Sequence, residues 1–403
     1  MNRLISFLIV IILVVAACSG AESSTTTAEA DTTTSTTTAT TVATTTTMAT
    51  TTTTRPRPEV RGADPKLAAL IEDLYAIPSG SKPPKAPKSV IDAFADADAK
   101  VPPRGVATVA TWDEEVRLAV VKVGKGDFTL AVANPEWRVI GGWWPSMGIG
   151  QRLGAFPKIL AVVGSDARPD ERRDETRSDS IHFVALDGKG NAGVVGVPRD
   201  SWVPIPGAGT SKINAALSFG GPQMMMDTFT ELSDLDFTGY LLTGFAGFES
   251  LIGEVLGGLT MEVPQDFNDQ AAKAYLEAGK QVLDGAQALA LSRTRKTLAR
   301  GDFQRQEHGG LVLMAAQAML RAGGPSALPG LVAKARPYVS TDLGPAELLV
   351  VAAAISRVNP GKVVNVVAPG GTGSAGGASV VFLSSSADEL WEDLADGRLT
   401  ADG

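Results

Sequence analysis

Cysteine and histidine are nearly absent from this chain: 403 residues hold one cysteine, Cys18, and two histidines, His182 and His308. That scarcity closes the zinc-finger, iron–sulfur and thiol-protease readings, all of which need such side chains in set spacings. Any metal would be held by oxygen ligands, which points to magnesium, calcium or manganese. Basic charge is also short, with 36 Lys and Arg against 44 Asp and Glu and a formal net charge of -8. A duplex-DNA binder would show a basic face instead. What is plentiful is apolar content, 44 % hydrophobic against 20 % charged, enough for a sizeable core.

The N-terminus reads MNRLISFLIVIILVVAACSG: a basic Arg3, an apolar stretch from Leu4 to Val15, then small residues before Cys18. This predicts a secretory signal over residues 1–17 rather than a fold element. Val15-Ala16-Ala17-Cys18-Ser19 resembles a bacterial lipobox, where the signal is cut before the cysteine and the thiol is acylated. The alternative is a plain membrane anchor with an incidental cysteine. Either reading places the protein outside the cytoplasm, and acylated Cys18 would hold it on the outer face of the membrane. Residues 18–58 are dominated by threonine and predict a disordered tether, because such a tract buries too little apolar surface to offset its chain entropy.

Residues 59–150 predict a small accessory α+β region, with helical DPKLAALIEDLYAI and KSVIDAFADADAK followed by several strands. Trp137, Trp143 and Trp144 fit either a carbohydrate platform or, the preferred use, a small core. From residue 151 strands and helices alternate, which predicts an α/β layered domain with a central sheet flanked by helices. Strands are expected at 158–163, 181–186, 193–198, 239–243, 260–263, 362–367 and 379–383. Helices are expected at 222–232, 245–256, 271–279, 285–293, 303–321, 345–357 and 386–395, with a flexible loop at 370–379.

The charges gather where the predicted strands end. Asp166 and Arg168 follow the first, Arg177 and Asp179 precede the second, and Arg199 and Asp200 follow the third. Open α/β sheets bind ligands at strand ends, although a single Arg–Asp pair there is more often a structural ion pair. Asp166 and Asp179 can share a hard cation, and arginine matches phosphate bidentately, so the clusters suggest phosphoryl transfer. Lys212 and Asn214 stand at an expected helix start, where free N–H groups favour anions. SRTRKTLARGDFQR adds Arg293, Arg295, Lys296, Arg300, Asp302 and Arg305. A basic helix end complementing its dipole would also account for part of that stretch.

The ordered set GSDAR (164–168), RSDS (177–180), PRD (198–200), KIN (212–214), TGYLLTGFAGFESLIGEVLGGL (238–259), SRTRK (292–296) and GDFQR (301–305) resembles the LytR-CpsA-Psr family of cell-envelope enzymes. The resemblance covers about residues 155–322, with a looser match towards the C-terminus; it divides the chain into a catalytic domain at 151–322 and a C-terminal α/β extension at 323–403. It implies Mg²⁺-assisted transfer of a glycopolymer from an undecaprenyl-pyrophosphate-type carrier onto peptidoglycan. Asp166 and Asp179 would then be the magnesium-associated carboxylates. Arg168, Arg177, Arg199, Arg293 and Arg305 would bind pyrophosphate, with Asp200, Lys212, Asn214, Arg295 and Asp302 orienting them. Asp166, Asp179 and Arg199 are the residues implied to be catalytic, without a choice of general base.

The chain departs from the family's pattern at two places. His308-Gly309 replaces an Arg-Gln or Asn-Gln pair, leaving His308 as a substitute contact to the pyrophosphate, and Gly244 replaces an acidic or amide residue. The resemblance also implies an apolar tunnel for the lipid. Candidate walls are Phe245, Phe248, Leu251, Ile252 and Val255, with Leu311, Val312, Met314 and Met319, and Met224 to Met226 as an adaptable lining; plain core packing is the other use of these stripes. The rival functions are a pyrophosphatase using water in the same pocket and a non-catalytic carrier- or solute-binding lipoprotein.

Overall fold

The computed structural model describes residues 57–97, 101–168 and 170–400, so the predicted signal, Cys18 and nearly all of the threonine tether lie outside the described residues. The first sheet begins with β1 (Glu59–Arg61), followed by α1 (Pro65–Ala76) and α2 (Lys88–Ala95). Asp64 starts α1, its carboxylate accepting from the N–H groups of Lys66 and Leu67 at 3.0 Å. Strands β2 (Arg104–Thr111), β3 (Arg117–Val123), β4 (Asp127–Ala133), β5 (Trp137–Trp144) and β6 (Ile149–Arg152) complete a six-stranded sheet in sequence order. Apart from the parallel β1–β2 pair the neighbours are antiparallel. One face packs on α1 and α2 around Leu67, Ile71, Leu74 and Phe94. The three tryptophans are buried in these cores rather than displayed.

The second sheet has five strands: β7 (Lys158–Ser165), β8 (Ser178–Leu186), β9 (Ala192–Gly196), and later β12 (Gly239–Thr243) and β17 (Val363–Val367). Their order is β12-β7-β8-β9-β17, with β12 parallel to β7, β8 antiparallel to both neighbours and β9 parallel to β17. It is a mixed central sheet between helices, as the alternation predicts. Side chains alternate across it. Ile181, Phe183 and Ala185 of β8 face one core with α3 (Ala215–Ser233) and α9 (Ser386–Ala395), among them Phe229, Trp391 and Leu394. Ser180, His182, Val184 and Leu186 face the other way, into a cavity.

That second face is covered by α4 (Phe245–Ser250), which continues as a π-helical turn at Leu251–Val255, by α5 (Gly285–Arg293) and by α6 (Asp302–Gly323). Helices α7 (Leu328–Ala335) and α8 (Pro345–Arg357) fill the space between the two sheets: Leu328, Leu349 and Ala353 share one apolar cluster with Leu118, Val120 and Leu130 of the first sheet and Leu186 and Ala192 of the second. Among the described residues no helix is long and apolar enough to cross a membrane.

Two expectations are corrected. Residues 271–279 are not helical but belong to small antiparallel pieces: β13 (Leu259–Val263) pairs with β16 (Gly279–Leu283), and β14 (Phe267–Asp269) with β15 (Ala274–Leu276). Asp269 turns the chain instead, accepting from the N–H groups of Ala271 and Ala272 at 2.9 and 3.1 Å. The expected loop at 370–379 is a hairpin of β18 (Gly370–Ala375) and β19 (Ala378–Leu383), turned by Gly376 and Gly377 at φ of 58° and 80°. A last short hairpin, β10 (Trp202–Ile205) and β11 (Gly209–Lys212), leads into α3.

Candidate functional site

The second sheet brings the ends of β7, β9, β12 and β17 and the start of β8 to one edge. The register slips between Gly164 and Ser165 where β7 meets β8. Irregularities of this kind redirect side chains at sheet edges. Beyond it the Asp166 N–H donates to the Arg177 carbonyl and the Arg177 N–H donates to Asp166 Oδ1, both at 3.0 Å. The charged loop is thereby clasped at its base, which fixes Asp166 and Arg177 opposite each other. Its middle is also held: Arg172 pairs with Asp174 and Glu175, and Arg173 Nη2 donates to the Pro337 carbonyl at 3.1 Å.

A charge network lies across this edge. Arg199 pairs with Asp179, and its Nε lies 4.0 Å from both Asp200 and Asp302. Asp302, in the first turn of α6, accepts from the Arg199 N–H at 3.2 Å and from Arg305 Nε at 2.8 Å. Arg305 is 5 % exposed and gives Nη2 to the Asp179 carbonyl at 2.6 Å, tying α6 to β8. Lys212 donates to Asp200 at 2.7 Å, and Arg295 lies 3.8 Å from the same carboxylate. Asn214, just ahead of α3, is buried and takes part through its backbone, donating to the Arg199 carbonyl at 3.2 Å and accepting from Ser178 at 3.1 Å.

Three predicted arginines stay unpaired. Arg168, Arg177 and Arg293 are exposed and make no ion pair among the described residues; Arg293 instead lies 4.5 Å over the Phe245 ring. Among the described residues Asp179 is the one carboxylate with a buried oxygen left unpartnered. Its Oδ1 is buried with no hydrogen-bond partner, as is Arg199 Nε. Burial raises the Asp179 carboxyl above its ordinary range against the pull of Arg199 and Arg305, and nearby Asp166 adds to the rise. Two neighbouring carboxylates, one with a free buried oxygen, fit a divalent cation that completes its shell from phosphate and water oxygens. Among the described residues no group of three or more His, Cys, Asp or Glu is placed to hold a metal.

Two cavities meet at this network. One, about 600 Å³, runs along the sheet face beneath α4 to α8 and is walled by apolar side chains. The other, about 1350 Å³, is an open cleft between the charged edge and the β18–β19 hairpin. Asp179, Arg199, Arg295 and Lys296 line both. Asp166, Arg177, Asp200, Lys212, Asn214 and Asp302 line the cleft, while Arg293 and Arg305 line the tunnel. Arg168 lines neither. Because α5 ends at Arg293 and Thr294 is extended, Arg293 and Arg295 both reach the tunnel despite their spacing of two.

The expected tunnel walls divide. Phe245, Phe248, Leu251, Ile252, Val255, Val312 and Met314 line the cavity. Leu311 and Met319 pack in a neighbouring cluster, and Met224 to Met226 belong to the core on the opposite face of the sheet. His308 does not reach the site: it is buried edge-on against Phe267, 5.3 Å between ring centroids. The exchange at position 309 has a clear steric counterpart, since a Cβ on Gly309 would stand 2.6 Å from His182 Cε1. His182, which sequence patterns left without a role, fills that space and lines the tunnel, its Nε2 2.9 Å from the Gln306 carbonyl. Ser165, whose buried hydroxyl has no partner, and Trp112 also line the tunnel, and nothing in their spacing signals it.

A family model, that of the LytR_cpsA_psr family, matches residues 155–396. The chain is 36 % identical over 148 residues to the polyisoprenyl-teichoic acid–peptidoglycan teichoic acid transferase TagV of Bacillus subtilis, covering 34 % of this chain and 38 % of that protein. It is 36 % identical over 156 residues to the probable cell wall biosynthesis protein LcpB of Corynebacterium glutamicum, covering 36 % and 37 %. The matched stretch thus spans less than half the length of these curated relatives. The crystal structure of B. subtilis TagV superposes with a TM-score of 0.53 at 26 % identity, over 60 % of this chain and 98 % of that one.

Proposed function

The chain belongs to the LytR-CpsA-Psr family, and from that premise we propose that it transfers a glycopolymer from a polyprenyl-pyrophosphate carrier onto peptidoglycan outside the cytoplasm. The observation that carries this reading is the junction itself. An apolar tunnel and an open polar cleft share Asp179, Arg199, Arg295 and Lys296 and nothing apolar. A donor with a greasy tail, a dianionic pyrophosphate middle and a sugar head divides in the same way. The tail occupies the tunnel, the pyrophosphate lies among the arginines, and the glycan extends into the cleft.

An acceptor hydroxyl entering from the cleft attacks the sugar-side phosphorus. A new P–O bond forms, the bond to the bridging oxygen breaks, and polyprenyl phosphate leaves with the electron pair while the hydroxyl proton passes to water in the cleft. Arg199 and Arg305 are held in place before any ligand arrives, so their charge needs little reorganisation as negative charge moves to the leaving oxygen. Arg177 and Arg293, free of carboxylates, supply bidentate contacts to phosphate oxygens. Lys212 and Asp302 keep Asp200 and Arg199 from pairing elsewhere. Mg²⁺ is part of the proposal: Asp166 and Asp179 would hold it, and when bound it neutralises phosphate charge. The anchor through acylated Cys18 belongs to the same proposal.

The test supplies a lipid-linked donor with and without purified peptidoglycan. Transfer predicts a covalent glycopolymer–peptidoglycan conjugate that forms only with acceptor present. Release of glycopolymer phosphate without conjugate would replace the transferase with a pyrophosphatase, and binding without turnover would leave a carrier-binding protein.

A further inference from the structure

The six-stranded sheet supplies a single residue to the tunnel, Trp112, among all the described residues from 57 to 152. The side chain is not there by accident of a loose loop. It sits at the β2–β3 turn, where the Trp112 N–H donates to the Val116 carbonyl at 2.9 Å and Asp113 Oδ1 accepts from the N–H groups of Glu115 and Val116 at 3.0 and 2.8 Å. Arg336, in the turn after α7, holds it from the other side: Nη1 donates to the Trp112 carbonyl at 3.0 Å and the guanidinium lies 5.4 Å from the ring centroid. Arg336 also lines the tunnel, as do Leu331, Val332 and Ala335 of α7.

The tunnel follows β8 from Asp179 at the charged junction to Leu186. At about 3.4 Å per residue that is a path of roughly 20–25 Å along one strand. Lining that long is far more than a pyrophosphate needs; it is the scale of a long hydrocarbon tail. We infer that Trp112 is a tail-selecting residue, a wall contributed by the accessory sheet and held by Arg336, against which the distal isoprene units of a long donor tail pack. The indole touches only tails long enough to reach it, so it discriminates by length, whereas the arginines at the junction treat every tail alike. This rests on the reading of the tunnel as the seat of the donor's lipid.

The test measures binding of two probes to the full chain in detergent: farnesyl pyrophosphate, with three isoprene units, and an undecaprenyl pyrophosphate, with eleven. Trp112→Ala should weaken the long probe about tenfold through lost aromatic packing and leave the short probe within about twofold. Arg336→Met, which frees the indole without removing it, should show the same length dependence at a smaller scale, and Trp112→Phe should lie between. Equal loss for both probes would assign Trp112 to general packing and overturn the inference, as would no change for either. If the wild type binds neither probe, the lipid-donor reading itself fails and takes this inference with it. Short-probe binding in each variant doubles as the check that the fold is intact.

Discussion

Asp127 in the six-stranded sheet and Asp179 at the edge of the five-stranded sheet are both carboxylates drawn out of water, and their surroundings differ in kind. Asp127 is fully buried and satisfied: it accepts from the Tyr75 hydroxyl at 2.7 Å, from the Ser146 N–H at 2.8 Å and from the Ser146 hydroxyl. Burial and the adjacent Asp127 push the Tyr75 hydroxyl well above its ordinary range, so the tyrosine stays a hydrogen-bond donor at any physiological pH. Asp179 spends one oxygen on Arg199 and leaves the other buried with no partner. A buried charge with closed hydrogen bonding is part of a scaffold. One left open beside other charges, where strands end, is prepared for something that is not yet there.

The sharpest way to break that contrast is at Arg199, which meets Asp179, Asp200 and Asp302 at once. Arg199→Ala should lower glycopolymer transfer by about 10²–10³-fold, the scale for losing one preorganised charge partner. Its melting temperature should stay near wild type, since Arg305 still ties α6 to β8. Retained transfer would remove Arg199 from the site.

A matched pair of conservative changes comes next. Asp179→Asn should reduce transfer by about ten- to a hundredfold while stability holds, because a neutral amide relieves the cost of an incompletely paired buried charge. Asp127→Asn should do the reverse. Its amide nitrogen cannot accept from the Tyr75 and Ser146 hydroxyls, which must turn or lose their partner, so stability should fall by about 1–3 kcal/mol in urea unfolding, with transfer per folded molecule unchanged. If both variants lost stability and neither lost transfer, Asp179 would be scaffold too.

Much of this site was readable from residue order. The apolar runs 158–163, 181–186 and 193–198 are rich in Val, Ile and Ala, which fit a sheet buried on both faces, and β7, β8 and β9 follow them. Once adjacent and antiparallel, those strands necessarily bring Asp166, Asp179 and Arg199 to one edge. What stayed hidden depends on pairing rather than local pattern. Ala271 to Glu277 have strong helix propensity, yet the Asp269 turn and the β14–β15 pairing override it. Glycine and serine carry no strand signal at 370–379, although a Gly-Gly pair is what a tight two-residue hairpin turn uses. Trp112 lies 54 residues before Asp166, the first of the charged site residues, and only the packing of α7 between the sheets brings it to the tunnel. The methionines at 224–226 show the opposite error: suitable chemistry on the wrong face of the sheet.

The smallest effect separates the two sheets by acid. Neither histidine lies in the six-stranded sheet, and His182 of β8 is buried against α6, its Nε2 at the Gln306 carbonyl. Burial lowers its pKa from 6.5 to about 4, so the folded protein keeps the imidazole neutral where the unfolded chain would protonate it. Between those values the unfolded state binds the extra proton, and stability therefore falls as pH drops from 6.5 towards 4. The slope from this one group is roughly 1.4 kcal/mol per pH unit. Burial also lowers the pKa of His308, which adds a slope of the same sign, but that residue is unchanged in a His182→Gln variant. Urea unfolding at pH 7.5, 6.0 and 5.0 should show the variant losing less stability than the wild type at each step, the gap between them closing as pH falls. Parallel curves would mean that His182 can take up a proton in the folded state, and that the space opposite Gly309 is wetter than its packing implies.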